Sequence, residues 1–518
     1  MKILSSHQMR DLEAKSETLG ISTNELMNNA GFSIASHIAK NMGPLKGLKV
    51  VSLVGTGNNG SDCLIASGHL AKWGASVTAL ILKPRAEPDL RSQETLESGI
   101  SLIDIGEGKG NISFSSVHSL LKNAHIIIDG ILGIGTSLPI RDPFKTVLSD
   151  IRDLNGKKAK VFSIDVPSGV DSDTSAVDPL AVKPDVTLAL GYLKPCHANQ
   201  PAANFCGEII ICDIGLPSHL SGEMDTELLS DDYVRPILPA RPISSHKGSY
   251  GKGMVVGGSD NYIGAPVLAA SSAMKTGLGL VTIATFEGLV NPMANMFPEA
   301  TFLPLKEAEM DIGSGQHMAR QIFEAVEDYK VLLIGCGFGT SRTADRIFQN
   351  LVLSNIKLPQ LVLDADGLNM LSKISSWWNK IPFNSILTPH PKEMSRLTRL
   401  SVSEIQSDRL NVAKRFSEQW GVTVVLKGAN TVICDPNGSS TISPYANPIL
   451  SSAGTGDVLA GLITGFIGQG NSPLEASSLG VYIHGKTADS VSLQIGSSGL
   501  LATELANNVP FTIKYLRN

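Results

Sequence analysis

The chain has 518 residues, too many for one ordinary core, so two or three domains are expected. Hydrophobic residues make up 42% and charged residues 18%, a balance that excludes a disordered chain and fits folded α/β structure. A net charge of −5 supplies no general attraction to nucleic acid or to an anionic membrane, and no run is apolar enough to span a bilayer.

The six cysteines, at 63, 196, 206, 212, 336 and 434, form no Cys-x-x-Cys pair, so neither a zinc site nor a disulfide framework is suggested. Small buried thiols in a reducing compartment are the expectation. The start, MKILSSHQMRDLEAK, lacks the apolar stretch of a signal peptide. A cytoplasmic protein with neither nucleic acid nor membrane as partner follows.

Residues 5–42 read as helical, with Met9, Leu12, Leu19, Leu26, Met27, Ala30, Ile34 and Ile38 at helical spacing. A strand follows at 49–54, then a glycine-rich turn at 55–60, a helix at 62–73 and a strand at 76–82. Further strands are expected at 125–129, 160–165 and 185–190. Over 216–250 the pattern lapses into LPSHLSGEMD and ILPARPISSHKGSY, which sets a linker at 221–245 between domains 1–220 and 246–518. A second strand series is expected at 253–257, 279–284, 331–335, 360–364, 385–387 and 423–426. From 453–468 onward the chain reads as a long Gly/Ala-rich helix and a C-terminal helical layer. Strands alternating with helices predict largely parallel sheets covered on both faces.

In the first domain, Gly55-Thr56-Gly57-Asn58-Asn59-Gly60 follows a strand and opens a helix, as a dinucleotide-type turn does. Such turns also serve packing alone. After the second strand, Lys83 and Arg85 stand where a ribose-binding acid is expected, which argues against an ordinary NAD dehydrogenase. Two more strands end in carboxylates: Asp129-Gly-Ile-Leu-Gly133-Ile-Gly135-Thr136 and Asp165-Val-Pro167-Ser168-Gly169-Val170-Asp171. One such Asp is often a cap or turn former; three convergent strand ends point instead to a ligand site. Asn59, Asp129 and Ser168 are oxygen donors suited to a hard cation, which leaves Asp165 for proton transfer.

NELMNNAG (24–31), GTGNNGSDC (55–63), DGILGIGT (129–136) and DVPSGVD (165–171) resemble the NAD(P)H-hydrate epimerase domain over roughly residues 1–215. The resemblance implies a Rossmann-like three-layer αβα fold and a potassium ion held by Asn59, Asp129 and Ser168. It also implies substrate contacts from Asn58, Asn59, Gly60, Ser61 and Asp62, and from Gly133, Ile134, Gly135, Thr136, Ser137, Leu138 and Pro139, with Asp165 at the reacting end. The family writes GNNGGDG where Ser61 and Cys63 stand; a glycine needed there for positive φ or phosphate approach makes the replacement costly.

In the second domain, Ala453-Gly454-Thr455-Gly456-Asp457-Val458-Leu459-Ala460-Gly461 is a glycine-rich turn entering a helix, whose N–H groups and dipole favour an anion. Asp457, just inside the helix, is a poor phosphate ligand but a good base for a neighbouring hydroxyl. An N-cap Asp in a packing turn is the plainer alternative. Lys427-Gly428-Ala429-Asn430-Thr431 offers a cation and a hydroxyl at a strand end. The turn Thr388-Pro389-His390-Pro391-Lys392-Glu393 carries a histidine between prolines. Gly335-Cys336-Gly337-Phe338-Gly339-Thr340 and Asp364-Ala365-Asp366-Gly367-Leu368-Asn369 close two more strands, as a phosphoryl-transfer site requires.

With HKGSYGKGMVVGGS (246–259), these motifs resemble the NAD(P)H-hydrate dehydratase domain of the ribokinase-like superfamily, over about residues 230–510. The resemblance implies that Ala265, Gly337 or Gly339, His390 and Asp457 contact the hydrated nucleotide. Lys427, Gly428, Ala429, Asn430, Thr431 and Gly456 would then hold ADP or ATP with Mg2+. Cys336 and Phe338 depart from the family's GPGLG, and Lys392 from its TPHPGE. The implied function is repair of hydrated NADH and NADPH: epimerisation of R and S hydrates in the first domain, then phosphorylation of the C6 hydroxyl of the S form and elimination of phosphate in the second. Related dehydratase domains lead us to expect a homo-oligomer. A small-molecule kinase with a ribokinase-like domain, and a first domain serving only as a scaffold, are the rival readings.

Overall fold

The structure, a computed structural model, describes residues 1–83, 98–105, 114–136, 138–153, 159–222, 224–307, 313–354 and 357–518. They divide into two compact units, Met1–Met224 and Asp225–Asn518.

The first unit is built on strands β1 (Lys49–Val54), β2 (Ser76–Ile81), β3 (Ser101–Asp104), β4 (Ile126–Gly130), β5 (Lys160–Ile164), β6 (Val186–Leu190) and β7 (Glu208–Cys212). Among the described residues they form one parallel sheet in the order β3-β2-β1-β4-β5-β6-β7. The central strands are near-continuous apolar runs, as a sheet covered on both faces demands; Ile126, Ile127 and Ile128 are fully buried. The winding reverses between β1 and β4, where a crevice opens at the strands' carboxyl ends.

The helical region expected over 5–42 is two helices, Ser6–Thr18 and Thr23–Met42. Gly20, at φ 89°, ends the first, and the Ser22 hydroxyl caps the second. The next helix spans Asn58–Lys72, starting four residues before the expected 62 because Gly57 serves as its N-cap. Strands β3 and β7 escaped the sequence reading. They are edge strands carrying exposed polar ends, Ser101, Asp104 and Glu208.

The second unit's strands are β8 (Thr226–Leu228), β9 (Lys252–Val256), β10 (Leu280–Phe286), β11 (Thr301–Leu305), β12 (Val331–Ile334), β13 (Gln360–Leu363), β14 (Ile386–Leu387), β15 (Thr423–Leu426), β16 (Val432–Cys434) and β17 (Ser440–Ile442). Their order is β11-β10-β9-β12-β13-β14-β15-β16-β17-β8, parallel except for the antiparallel β15-β16-β17 meander. Here the reversal falls between β9 and β12. The helices Thr455–Gly468, Pro473–Ile495 and Ala502–Arg517 form the expected C-terminal layer.

The stretch 221–245, expected as a linker, is instead structured over much of its length. β8 pairs with β17, the Ser230 hydroxyl caps a helical turn at Asp231–Val234, and Leu229 and Val234 are buried. Two short apolar anchors are enough to order this Pro- and Ser-rich text. Among the described residues no helix is long and apolar enough to cross a membrane.

Candidate active sites

At the first unit's reversal point, the chain leaves β1 through Gly55, whose Cα faces the carbonyl of Ile131 so closely that a Cβ would lie 1.9 Å from that oxygen. Only glycine lets these two loops meet. Asn58 to Asp62 open helix Asn58–Lys72; the Gly60 and Ser61 N–H groups turn back to Gly57 O at 3.0 and 3.3 Å, so the anion-suited N–H groups are those at the very start, Asn58 and Asn59. Ser61 and Cys63 adopt ordinary helical backbone there, so neither position needs glycine for a positive φ. The Cys63 thiol is buried and pushed up to about 12 by that burial, which makes it inert.

Asn59, Asp129 and Ser168 come together. The Asn59 amide donates to the Leu132 carbonyl at 3.0 Å, and the Ser168 hydroxyl donates to Asp129 at 2.6 Å while accepting from the Leu132 N–H at 2.9 Å. Asp129 is fully buried and also accepts from the Ser168 N–H (2.9 Å), the Ser163 hydroxyl (2.8 Å) and the Ile131 N–H (3.4 Å). Burial pushes its carboxyl up, against the pull of these hydrogen bonds. A buried carboxylate ringed by hydroxyl, amide and carbonyl oxygens, with no thiolate or imidazole, fits a hard monovalent cation.

Asp165 follows β5 in left-handed backbone, φ 61°, a conformation an L-residue keeps only where its surroundings impose it. Its N–H donates to Leu188 O and its carboxylate accepts from the Leu190 N–H at 2.9 Å. The fully buried ammonium of Lys194 pairs with the same carboxylate and donates to Leu190 O at 2.8 Å. His197 accepts the Lys194 N–H on Nδ1, so its Nε2 carries the proton that reaches Asp165 O at 2.8 Å. Burial holds this histidine near 4, hence neutral.

A cavity of about 420 Å3 joins these parts. Asn58, Asn59, Asp62, Gly133, Ile134, Gly135, Thr136 and Asp165 line it, as expected from the sequence. Gly60, Ser61, Leu138 and Pro139 are not among its lining residues, because Gly60 and Ser61 turn inward on the helix and Leu138 packs on an apolar cluster. Ser137 and Arg85 lie outside the described residues. Sequence reasoning missed Arg10, Glu13 and Lys194, which also face the cavity. A lysine directly after the apolar strand β6 was the available signal for Lys194.

In the second unit, β9 leads to helix Gly264–Thr276 and β12 to the turn at Gly335–Gly339, side by side. Gly337, at φ 60°, sits so near Ala265 that a Cβ would lie 2.9 Å from the alanine's own. Cys336 and Phe338 are wholly buried, Phe338 stacking on Phe286 at 6.0 Å, so these departures fill core space. Asp364 closes β13 and pairs with Lys427 of the β15 end at 2.5 Å. That ammonium also lies over Gly456, 3.7 Å from where a Cβ would stand, at the entrance of helix Thr455–Gly468. Asp366 accepts the Gly339 N–H at 2.8 Å and so fixes the turn.

Asp457, in that helix's first turn, is pushed up to about 7 by burial and by the charge of Asp364, against the Cys336 thiol and Lys427. A carboxyl poised near neutrality beside an anion-binding turn is equipped to take a hydroxyl proton. His390 spends Nδ1 capping helix Pro391–Thr398, accepting from the N–H groups of Lys392 and Glu393, while its Nε2 lies 3.4 Å from a Glu393 carboxylate oxygen. Of the loop 427–431, Gly428 and Ala429 are exposed; Asn430 is buried and donates to Ser443 O, and the Thr431 hydroxyl closes the loop on Gly428 O. The Thr431 hydroxyl, expected for nucleotide binding, braces its own loop here.

Comparison with known proteins gives one answer over the whole chain. Residues 23–196 match the family described as YjeF-related protein N-terminus, and residues 254–510 match NAD(P)H-hydrate dehydratase. The bifunctional NAD(P)H-hydrate repair enzyme Nnr of Thermofilum pendens is 33% identical over 99% of this chain and 96% of its own length. Its counterpart from Escherichia coli is 31% identical over 94% and 89%. The crystal structure of the ADP/ATP-dependent NAD(P)H-hydrate dehydratase from Bacillus subtilis, co-crystallized with ATP/Mg2+, is 32% identical and covers 57% of this chain and 99% of its own, at a TM-score of 0.49.

The buried pair Asp165–Lys194 should be strongly coupled. Lys194→Met leaves a buried carboxylate unpaired and should destabilise the first unit by about 3–5 kcal/mol in denaturant unfolding followed at Trp73. The double variant Asp165→Asn, Lys194→Met should regain most of that loss. A single variant as stable as the wild type would contradict the pairing.

Proposed function

The chain belongs to the family of bifunctional NAD(P)H-hydrate repair enzymes, and we propose that its first unit interconverts the R and S hydrates of NADH and NADPH while its second dehydrates the S form with ADP or ATP. One observation carries this reading: relatives matched over nearly the full length are bifunctional NAD(P)H-hydrate repair enzymes, and each unit has a site with the chemistry its step needs. A plain kinase would have no use for the first site. A scaffold would have no use for a buried Asp165–Lys194 pair.

In the second unit, the hydrate's C6 hydroxyl meets Asp457, which takes its proton as the oxygen attacks the terminal phosphoryl group. The amides of Gly454 to Gly456 and the Lys427 ammonium face the charge that develops. The nitrogen lone pair of the ring then expels phosphate, and loss of a C5 proton restores the C5=C6 bond. Phosphate leaves far more readily than hydroxide does. Among the described residues no cluster of three acidic, histidine or cysteine side chains could cage a metal. Mg2+ is accordingly assigned to the phosphates of the nucleotide, its usual mode.

In the first unit, Asn59, Asp129 and Ser168 would hold potassium, whose charge offsets the repulsion between Asp129 and the substrate's phosphates. The helix N-terminus at Asn58–Asp62 and the turn at Gly133–Thr136 bind those phosphates, which sets the hydrated ring toward Asp165. Lys194 and His197 hold Asp165 in place. A cytoplasmic setting and a homo-oligomer complete the proposal. Buried free thiols at all six cysteines support the first, and exposed Phe511 and Tyr515 on the last helix support the second.

Asp457→Asn should retain nucleotide binding and lower dehydration by about 10²- to 10⁴-fold, the usual effect of losing a general base. Because the ionised form is the base, wild-type kcat/KM should fall as pH drops through about 7. Near-normal turnover of the variant, or a flat profile, would remove Asp457 from the mechanism. For the first unit, interconversion of R and S hydrates without added nucleotide should be faster in potassium than in tetramethylammonium. Asp129→Asn should erase the difference; equal wild-type rates in both salts would remove the cation site.

A further inference from the structure

One wall of the first unit's cavity takes no part in the chemistry so far. Helix Ser6–Thr18 is held there by its capping box, in which Ser5 and Gln8 exchange hydrogen bonds. The N–H and hydroxyl of Ser6 add bonds to Asp173 at 2.7 and 2.5 Å. Buried Met9 and Leu12 anchor the helix from beneath. Met9, Arg10 and Glu13 thus line the same cavity as Asp165 and Lys194. This helix precedes the segment 23–196 that the family match covers.

Glu13 does not behave as a surface acid. It is partly buried, and among the described residues its carboxyl has no ion-pair or hydrogen-bond partner. Burial pushes it up; Lys194 opposes that, Asp165 adds to it and Arg10 opposes it, so all three charges are close enough to be felt. Asp165, by contrast, has its charge balanced by Lys194.

We propose that Glu13 is the second proton-transfer group of the epimerisation, serving one face of the C6 centre while Asp165 serves the other. The inference rests on reading the first unit as an epimerase. Inverting C6 requires one of its bonds to break and to re-form from the opposite side. The ring nitrogen's lone pair forms N1=C6 as the C6–O bond breaks; that bond's electron pair leaves with the oxygen, and a proton from Glu13 makes it water. A second water adds to C6 from the other face, and Asp165 takes its proton. One water leaves and one enters, with no net oxidation, and the two carboxyls exchange roles in the reverse direction. A single carboxyl cannot reach both faces of a ring, which is why inverting glycoside hydrolysis also uses two.

The test uses the full chain without ADP or ATP, with R and S hydrates of NADH separated by chromatography over time. Glu13→Gln should slow interconversion by about 100-fold or more, and Glu13→Asp should recover part of the loss. Both should dehydrate the S form with ATP at the wild-type rate. The charged groups facing the cavity are Arg10 and Glu13 on the first helix, Asp62 on helix Asn58–Lys72, and Asp165 and Lys194 beyond the strand ends. Among them Glu13 is assigned the loss of rate at alkaline pH, and Glu13→Gln should lack that limb. In 18O-labelled water each inversion should label the C6 oxygen. A variant within about threefold of wild type, an unchanged pH profile, or inversion without label overturns the assignment. A wild-type protein that does not interconvert the forms overturns the epimerase reading and this inference with it.

Discussion

Between β1 and β4, and again between β9 and β12, successive connections leave a parallel sheet in opposite directions, and at the first reversal a cavity lies beyond the strand ends. Everything chemical in the protein is arranged around these two gaps. The helices Asn58–Lys72 and Thr455–Gly468 start at these gaps, and the leading N–H groups of a helix suit an anion without side-chain charge. Glycine is needed where loops must touch, as at Gly55 against Ile131. The strands supply rigid stems, so the carboxylates at their ends are held by the sheet and not by flexible loops.

A second regularity follows from burial. Each unit places an aspartate beyond a strand and neutralises it with a lysine from beyond another: Asp165 with Lys194, and Asp364 with Lys427. Carboxylates drawn from water without such partners respond by holding their protons. Asp457, which lies near Asp364 and is only partly compensated by Lys427, is poised near neutrality for that reason, and Glu13 is raised by the same physics. Pairing with a buried lysine also fixes where the Asp165 and Asp364 carboxylates point.

Much of this was legible before the structure. The central strands announce themselves because a doubly covered sheet needs unbroken apolar runs, and 49–54 and 423–426 agree with β1 and β15 to the residue. Strands β8, β16 and β17 are only three residues long, too short for an apolar run to stand out, and β8 and β17 carry polar side chains as well. Motif residues at strand ends, Asn59, Asp129 and Ser168, were found because glycines and turns mark them. Glu13 carries no local pattern and Lys194 only its place shortly after β6; what brings them to Asp165 is the fold, across 29 residues for Lys194 and from the first helix for Glu13. Local structural duties were least legible: beside any ligand contact, His390 caps a helix and Thr431 braces a loop, and neither bond is marked in the sequence.

One chain that carries two separable reactions in series should show them as two kinetic phases once one reaction is removed. The most direct measurement is the return of NADH absorbance when an R and S mixture of hydrated NADH is mixed with ATP and either wild-type protein or Asp165→Ala. Wild-type protein should recover all of the absorbance in one enzymatic phase. The variant should show a fast phase consuming the S form, then a slow phase set by spontaneous epimerisation. A variant that converts the whole mixture as fast as wild type would contradict this, as would a wild-type protein that stalls once the S form is gone.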